Sequence, residues 1–301
     1  MTHEILITHY YHSGFSVTCR DLLFVFDYWR GENQELTADQ QISPERLASF
    51  RQVFVFISHE HMDHLDPIVF TWKDHAPVTY IVSSDMPVGT RGKRMAPGDE
   101  MKLAEGISVK AFGSTDLGVS FLLNLDGLKV FHAGDLNFWH WRDESTLKEI
   151  EEAELEFQNA VRPLTHENVD VAFFPLDPRQ GSMFEAGANY FILSAKPRLL
   201  IPMHYFRRSD IAVEYARTAS CRTTEVLAMP GIGDCICVQL DESGFINISF
   251  PKENPVAALS GHTDSEAENE VDLEDNPGEN PFSESDLPLS QLADEEKEDE
   301  S

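Results

Sequence analysis

Val53-Phe54-Val55-Phe56-Ile57-Ser58-His59-Glu60-His61-Met62-Asp63-His64-Leu65-Asp66-Pro67 falls into three parts. The first five residues are apolar, aromatic and β-branched, the pattern of a buried strand. Asp66-Pro67 joins an N-cap residue to a first-turn proline, so a helix is expected to begin there. Between them, three histidines and an aspartate crowd into six positions, 59–64. The cluster therefore falls on a loop at the carboxyl end of a strand, where open α/β sheets place their chemistry. Imidazole nitrogen and carboxylate oxygen are the usual ligands of Zn, Mn and Fe. On an extended loop His59 and His61 project to one side and can share a metal. Asp63 and His64 lie past the bend and can serve a second.

Around this loop the chain has 301 residues, 42% of them apolar, enough for a sizeable core. No apolar run reaches the length of a membrane span. The start, Met-Thr-His-Glu, has no basic region followed by an apolar stretch, so no signal peptide is expected and the cytoplasm is the default. Four cysteines in so long a chain do not make a disulfide scaffold. The net charge of −29 is uneven. Residues 255–301 hold 16 Asp+Glu against one Lys, and residues 1–254 hold 36 against 22 Lys+Arg. Such an acidic surface argues against a grip on nucleic acid and leaves a small molecule as the expected partner. The reading is a folded domain over 1–254 and an acidic, disordered tail over 255–301, whose composition buries too little to offset its ordering entropy.

The pattern His-x-His-x-Asp-His after a strand resembles the signature of the metallo-β-lactamase superfamily. Further matches follow in order: Asp27 at the end of an early strand, Phe131-His132-Ala133-Gly134-Asp135, and Ile201-Pro202-Met203-His204. The resemblance implies an α+β fold, a four-layer αββα sandwich of two mixed sheets. It implies that Asp27 supports the histidine loop from behind, that Asp135 bridges two metals, and that His204 binds the second metal. Among its branches the chain looks most like the ascorbate-6-phosphate lactonase-like hydrolases. One departure stands out. Many family members have Gly-His-Thr-Pro-Gly where this chain has Gly113-Ser114-Thr115-Asp116, and the missing histidine is a ligand of the first metal. Ser114 is a poor ligand. Asp116 can supply a carboxylate instead, or merely cap the turn. The expected metal set is thus His59, His61, Asp63, His64, Asp116, Asp135 and His204. It would hold two divalent ions, Zn first, with Mn or Fe as alternatives.

Other residues have roles left open by their sequence context. His12 in Tyr11-His12-Ser13-Gly14 either lines the pocket or is a turn residue. Asn137-Phe138-Trp139-His140-Trp141 walls a pocket, with His140 as proton donor or substrate contact, or else packs in the core. Asp177 and Arg179, after the strand ending near Pro175, can frame the site. Arg207, Arg208 and the basic segment 90–94 are candidate anion contacts. The implied mechanism is hydrolysis by a hydroxide held between two metals about 3.5–4 Å apart, oriented by Asp63 or Asp135. It would act on a small, anionic or phosphorylated ester, lactone or phosphodiester. A redox di-iron protein and a non-catalytic metal-binding regulator are the alternatives.

Overall fold

Leu22-Leu23-Phe24-Val25-Phe26 shows how the core is built. Leu22, Phe24 and Phe26 join the large core, and Leu23 and Val25 join a second, smaller one. The next strand splits the same way, with Phe54 and Phe56 on one side and Val53, Val55 and Ile57 on the other. A strand alternates its side chains between faces, so a strand that is apolar throughout must be covered on both. The structure, a computed structural model, describes residues 3–31, 35–241 and 245–251. The acidic segment 255–301 lies outside them.

The first sheet takes its strands from both ends of the chain: β1 (His3–Tyr11), β2 (Gly14–Cys19), β3 (Leu22–Phe26), β4 (Gln52–Ile57), β5 (Val78–Ser83), β6 (Lys93–Met95), and later β14 (Cys235–Leu240) and β15 (Ile246–Ser249). Its order is β15-β14-β1-β2-β3-β4-β5-β6. The second is built from β7 (Glu100–Ala104), β8 (Ile107–Gly113), β9 (Val119–Leu125), β10 (Leu128–His132), β11 (Val171–Pro175), β12 (Leu199–Met203) and β13 (Glu225–Val226), in the order β13-β12-β11-β10-β9-β8-β7. Each sheet is mixed. β3, β4, β5 and β6 run parallel in one, and β10, β11, β12 and β13 run parallel in the other.

Aromatic rings fill the space between the sheets. Phe15 stacks on Phe173 at 4.2 Å, and Phe56 meets Phe121 at 5.3 Å. Phe174, one residue on from Phe173, points the other way and packs on Phe191 and Phe157. Those two rings belong to α3 (Ala186–Ala195) and α2 (Leu147–Val161), which cover the second sheet together with α4 (Ser209–Ala219). The first sheet is covered by α1 (Pro44–Ala48) through Leu47, and by Val69 and Trp72. The result is the αββα sandwich. No described helix is long and apolar enough to cross a membrane.

Several local expectations need correction. Asp66 caps the segment Pro67–Asp74 as read, through Ile68 N–H, but that segment is a 3-10 helix. The cap of α2 is Thr146, which forms a reciprocal box with Glu149. The basic segment 90–94 is partly strand. Arg94 is tied to the carbonyl oxygens of Ser84, Met86 and Pro87, so its charge holds a loop closed.

Phe173 is fully buried between the sheets. Phe173→Ala is expected to cost about 3–5 kcal/mol, as transfer energy and cavity combine. The shift of the urea unfolding midpoint measures it, and a loss under about 1 kcal/mol would mean the sheets can collapse into the gap.

Candidate metal centre

Parallel strands present their carboxyl ends on one edge, and in both sheets that edge carries the polar residues. Asp27 follows β3 and the histidine loop follows β4. Asp135, Asp177 and His204 follow β10, β11 and β12, three adjacent parallel strands. Two glycines let the loops of the second sheet reach the histidine loop. A Cβ on Gly118 (φ +81°) would stand 1.9 Å from the Ser58 carbonyl oxygen. One on Gly134 (φ +55°) would stand 2.9 Å from the Ser58 Cβ. Both also hold backbone angles that only glycine takes freely.

Asp27 fixes the loop from below. Its carboxylate accepts the Ser58 N–H (2.8 Å), the Ser58 hydroxyl (2.6 Å) and a hydrogen bond from His64 Nδ1 (2.8 Å). Burial pushes the Asp27 carboxyl up, but the His64 bond and the nearby imidazoles outweigh it and hold the group below its ordinary value. His64 is left with Nε2 aimed upward. On the other side Asp177 does the same for His204, accepting from Nδ1 at 3.0 Å. A carboxylate behind an imidazole is a common device for aiming a ligand.

Asp135 stands at the centre. His64 Nε2 and His204 Nε2 lie 2.9 and 3.2 Å from its Oδ1, and His59 Nε2 lies 3.3 Å from its Oδ2. His61 Nδ1 is 3.0 Å from His59 Nε2 and 4.0 Å from Asp135 Oδ2. Asp116, His61 and Asp135 bring ligand atoms within 4.8 Å of one another, as do His12, Asp63, His64 and His204. Every residue of the expected metal set is thus gathered around Asp135.

Burial makes this gathering informative. His64 Nε2, His204 Nε2 and Asp135 Oδ1 are shielded from solvent yet have no hydrogen-bond partner among the described residues. A native protein seldom leaves such atoms orphaned. They converge on one point without the geometry of bonds to each other. Donors roughly 2.0–2.2 Å from a shared cation are spaced in this way. The residues fit a metal site.

Electrostatics agree. Burial opposes the Asp135 charge, yet His64 and His204 hold its carboxyl well below the usual range. Burial also opposes charge on His64, but Asp135 and Asp27 hold its imidazole well above its ordinary value. His204 is raised in the same way by Asp135 and Asp177. His12 behaves oppositely: burial, then the neighbouring His204 ring, push it down to about 3. It stays neutral, with Nε2 3.3 Å from Asp63. His12 therefore belongs to the centre and is more than a turn residue.

A pocket of about 470 Å³ opens on these residues, lined by His61, Asp63, Thr115, Asp116, Asp135, Trp139, Trp141 and Arg179. His140 is not among them, and this corrects the expectation of a proton donor there. It is buried, its Nε2 donates to the Met183 carbonyl, and its Nδ1 accepts the Arg142 N–H. Both ring nitrogens are spent on anchoring the loop. Arg207, Arg208 and segment 90–94 also fail to line the pocket. Arg208 is paired with Asp210 on α4. Thr115 had no signal in the sequence. Its hydroxyl bridges to both the N–H and the carbonyl of Asn137, joining the two loops that wall the pocket.

The fold and the ligand pattern together resemble those of the metallo-β-lactamase superfamily. Among curated relatives, a UPF0173 metal-dependent hydrolase of Pyrobaculum neutrophilum is 25% identical over 209 residues, 64% of this chain and 81% of the relative. One from Pyrobaculum calidifontis is 26% identical over 209 residues, with the same shares. The fold matches that of Igni18, a metallo hydrolase from Ignicoccus hospitalis, with a TM-score of 0.58 at 19% identity, over 78% of this chain and 98% of that one. A variant of the CmlA β-hydroxylase matches with a TM-score of 0.52 at 11% identity, over 78% of this chain and 54% of that one, so fold alone does not fix the chemistry. No family model matches the chain.

Two predictions follow from this geometry. Asp116→Ala is expected to lose about one metal equivalent from the His59/His61 side, measured by elemental analysis after dialysis, because an open ligand position weakens a site of this kind. Unchanged metal content would make Asp116 a turn residue only. The second concerns pH. His64 and His204 are raised above the ordinary imidazole value, so the metal-free protein holds protons there to higher pH than free imidazole would, and coordination needs neutral imidazole. Metal binding should therefore release protons, and affinity should weaken as pH falls below neutrality. Calorimetric titration in buffers of different ionisation enthalpy reads the proton count.

Proposed function

We propose that the chain is a metal-dependent hydrolase acting on a small ester, lactone or phosphodiester that carries negative charge. Residues 1–254 form the catalytic domain, and the acidic tail lies outside the chemistry. One observation carries the reading most: orphaned imidazole and carboxylate atoms converge at the floor of an open pocket. The curated relatives are themselves metal-dependent hydrolases, which supports the class. The setting we infer is cytoplasmic, with a small-molecule partner and no nucleic acid.

His59, His61, Asp116 and Asp135 would hold one cation, and Asp63, His64, His204 and Asp135 the other. When bound, such cations would supply polarisation of a substrate oxygen and a lowered pKa for a water. The remaining steps belong to side chains. Asp63 is partly open to the pocket, with His12 Nε2 3.3 Å from its Oδ2 on the buried side. Burial opposes its charge, but His12 and His64 outweigh this, so it stays ionised. Asp63 thus stays a carboxylate that can accept a hydrogen bond from the attacking water and orient it. Asp135 keeps the two ligand groups in register. Asp27 and Asp177 hold His64 and His204 to one ring orientation each. Trp139 and Trp141 restrict water on one side of the pocket.

Asp116 in place of an imidazole makes the first position harder and more negative, which favours Mn or Fe beside Zn. That same feature keeps a redox di-iron reading in view. Substrate turnover separates the two. Metal-loaded protein should hydrolyse at least one member of a panel of lactones, esters and phosphodiesters without an added reductant. Chelation should abolish the rate, and Zn or Mn should restore it. Turnover that survives chelation, or its absence across the panel, would sink the hydrolase reading.

A further inference from the structure

The pocket holds one cationic side chain, Arg179, and its setting is unlike that of the surface arginines. Asp177 takes its Nε and Nη2 edge in a bidentate pair, at 2.9 and 2.6 Å to Oδ2. The guanidinium also lies over the Phe206 ring, 4.5 Å from its centroid. A planar cation held along one edge and on one face has little rotamer freedom left to lose on binding. Its Nη1 makes no hydrogen bond among the described residues, and about half of the side chain is exposed. Asp177 is itself fixed. It is fully buried, bonded to His204, and held at about 2, where the His204 and Arg179 bonds outweigh the cost of burial. The arginine is thus braced against a metal-ligand histidine.

Another wall of the same pocket is aromatic. Trp139 and Trp141 form an offset stack with nearly parallel planes, 14° apart and with centroids 5.9 Å apart. Trp139 donates its indole N–H to the Asp135 carbonyl oxygen at 2.8 Å. Trp141 holds a left-handed backbone (φ +40°) and remains 36% exposed. An exposed tryptophan kept in a strained conformation beside a polar floor suits a ring-stacking surface.

We propose that Arg179 and the Trp139–Trp141 face form a specificity subsite for the part of the substrate that is not cleaved. The ligand class is a small aromatic acid, with a carboxylate or phosphate on the free guanidinium edge and its ring on the tryptophans. The proposal rests on the hydrolase reading for its place in a reaction, but its binding claim is tested without turnover. With two divalent ions bound, Asp63, Asp116 and Asp135 leave the floor one positive charge in excess, so the ions do not repel such an acid.

The test is equilibrium binding of benzoate, benzamide and acetate to the metal-loaded full-length protein, followed by tryptophan fluorescence and calorimetry. Benzoate should bind, and benzamide should bind at least about tenfold more weakly, as loss of a charge-assisted hydrogen bond implies. Arg179→Gln should weaken benzoate about tenfold or more at unchanged metal content, with Arg179→Lys in between. Trp141→Ala should weaken benzoate and leave acetate unaffected. Equal benzoate affinity in Arg179→Gln would overturn the proposal, because the metals alone would then hold the anion. Benzoate binding as described, with no turnover of any ester, would leave the subsite standing and the hydrolase reading fallen. Turnover without Arg179-dependent binding would do the reverse.

Discussion

A single buried carboxylate, Asp27, sets the geometry on which the site depends. It sits in a left-handed backbone conformation (φ +42°) at the end of β3 and accepts three hydrogen bonds from the loop of the neighbouring strand. Burying an ion is costly unless it is fully bonded, and unpairing it is worse. The loop therefore has one low-energy position, with Ser58 pinned and His64 turned outward. Asp177 repeats the arrangement behind His204 from the second sheet. Each sheet thus contributes one carboxylate that aims one imidazole, and the two imidazoles meet over Asp135.

That meeting needs the sheets to close tightly at their polar edge while aromatic rings keep them apart in the middle. Phe26 links the two regions. It stacks on Phe56 within its own sheet and on His132 of the other, at 4.6 and 5.2 Å. His132 in turn donates from Nε2 to the Ser13 carbonyl and accepts the Gly134 N–H at Nδ1. A histidine next to a metal site in sequence is here a strut between the turn that carries His12 and the turn that carries Asp135. The packing of the core and the placement of the ligands are in this sense one structure.

Much of this was legible because it is encoded locally. A strand followed by His-x-His-x-Asp-His states both its fold position and its chemistry, and the cap at Asp66 follows from two adjacent residues. The apolar run Val53–Ile57 gives a buried strand. What stayed hidden depends on contacts distant in sequence. Thr115 matters through Asn137, twenty-two residues on. His12 is open between pocket and turn until it is seen beside Asp63 and His204. His140 misled because an aromatic, histidine-rich loop near a ligand looks like a pocket wall. Only the three-dimensional path shows its ring nitrogens taken by the backbone. The basic residues misled for a related reason. Arg94 and Arg208 carry the right charge, but nearby carbonyls and Asp210 absorb their hydrogen bonds.

Arg179 shows the opposite outcome. Pairing with Asp177 would ordinarily count as neutralisation, the fate of the surface pairs. Yet Asp177 has two obligations, to Arg179 and to His204, and only one carboxylate to meet them. It binds the arginine along a single edge, so the guanidinium is oriented but not consumed. The same carboxylate therefore fixes a candidate ligand imidazole and a pocket-facing cation at once. A change in Asp177 should disturb both together, whereas a change in Arg179 should touch only one. That asymmetry follows from which groups share the carboxylate.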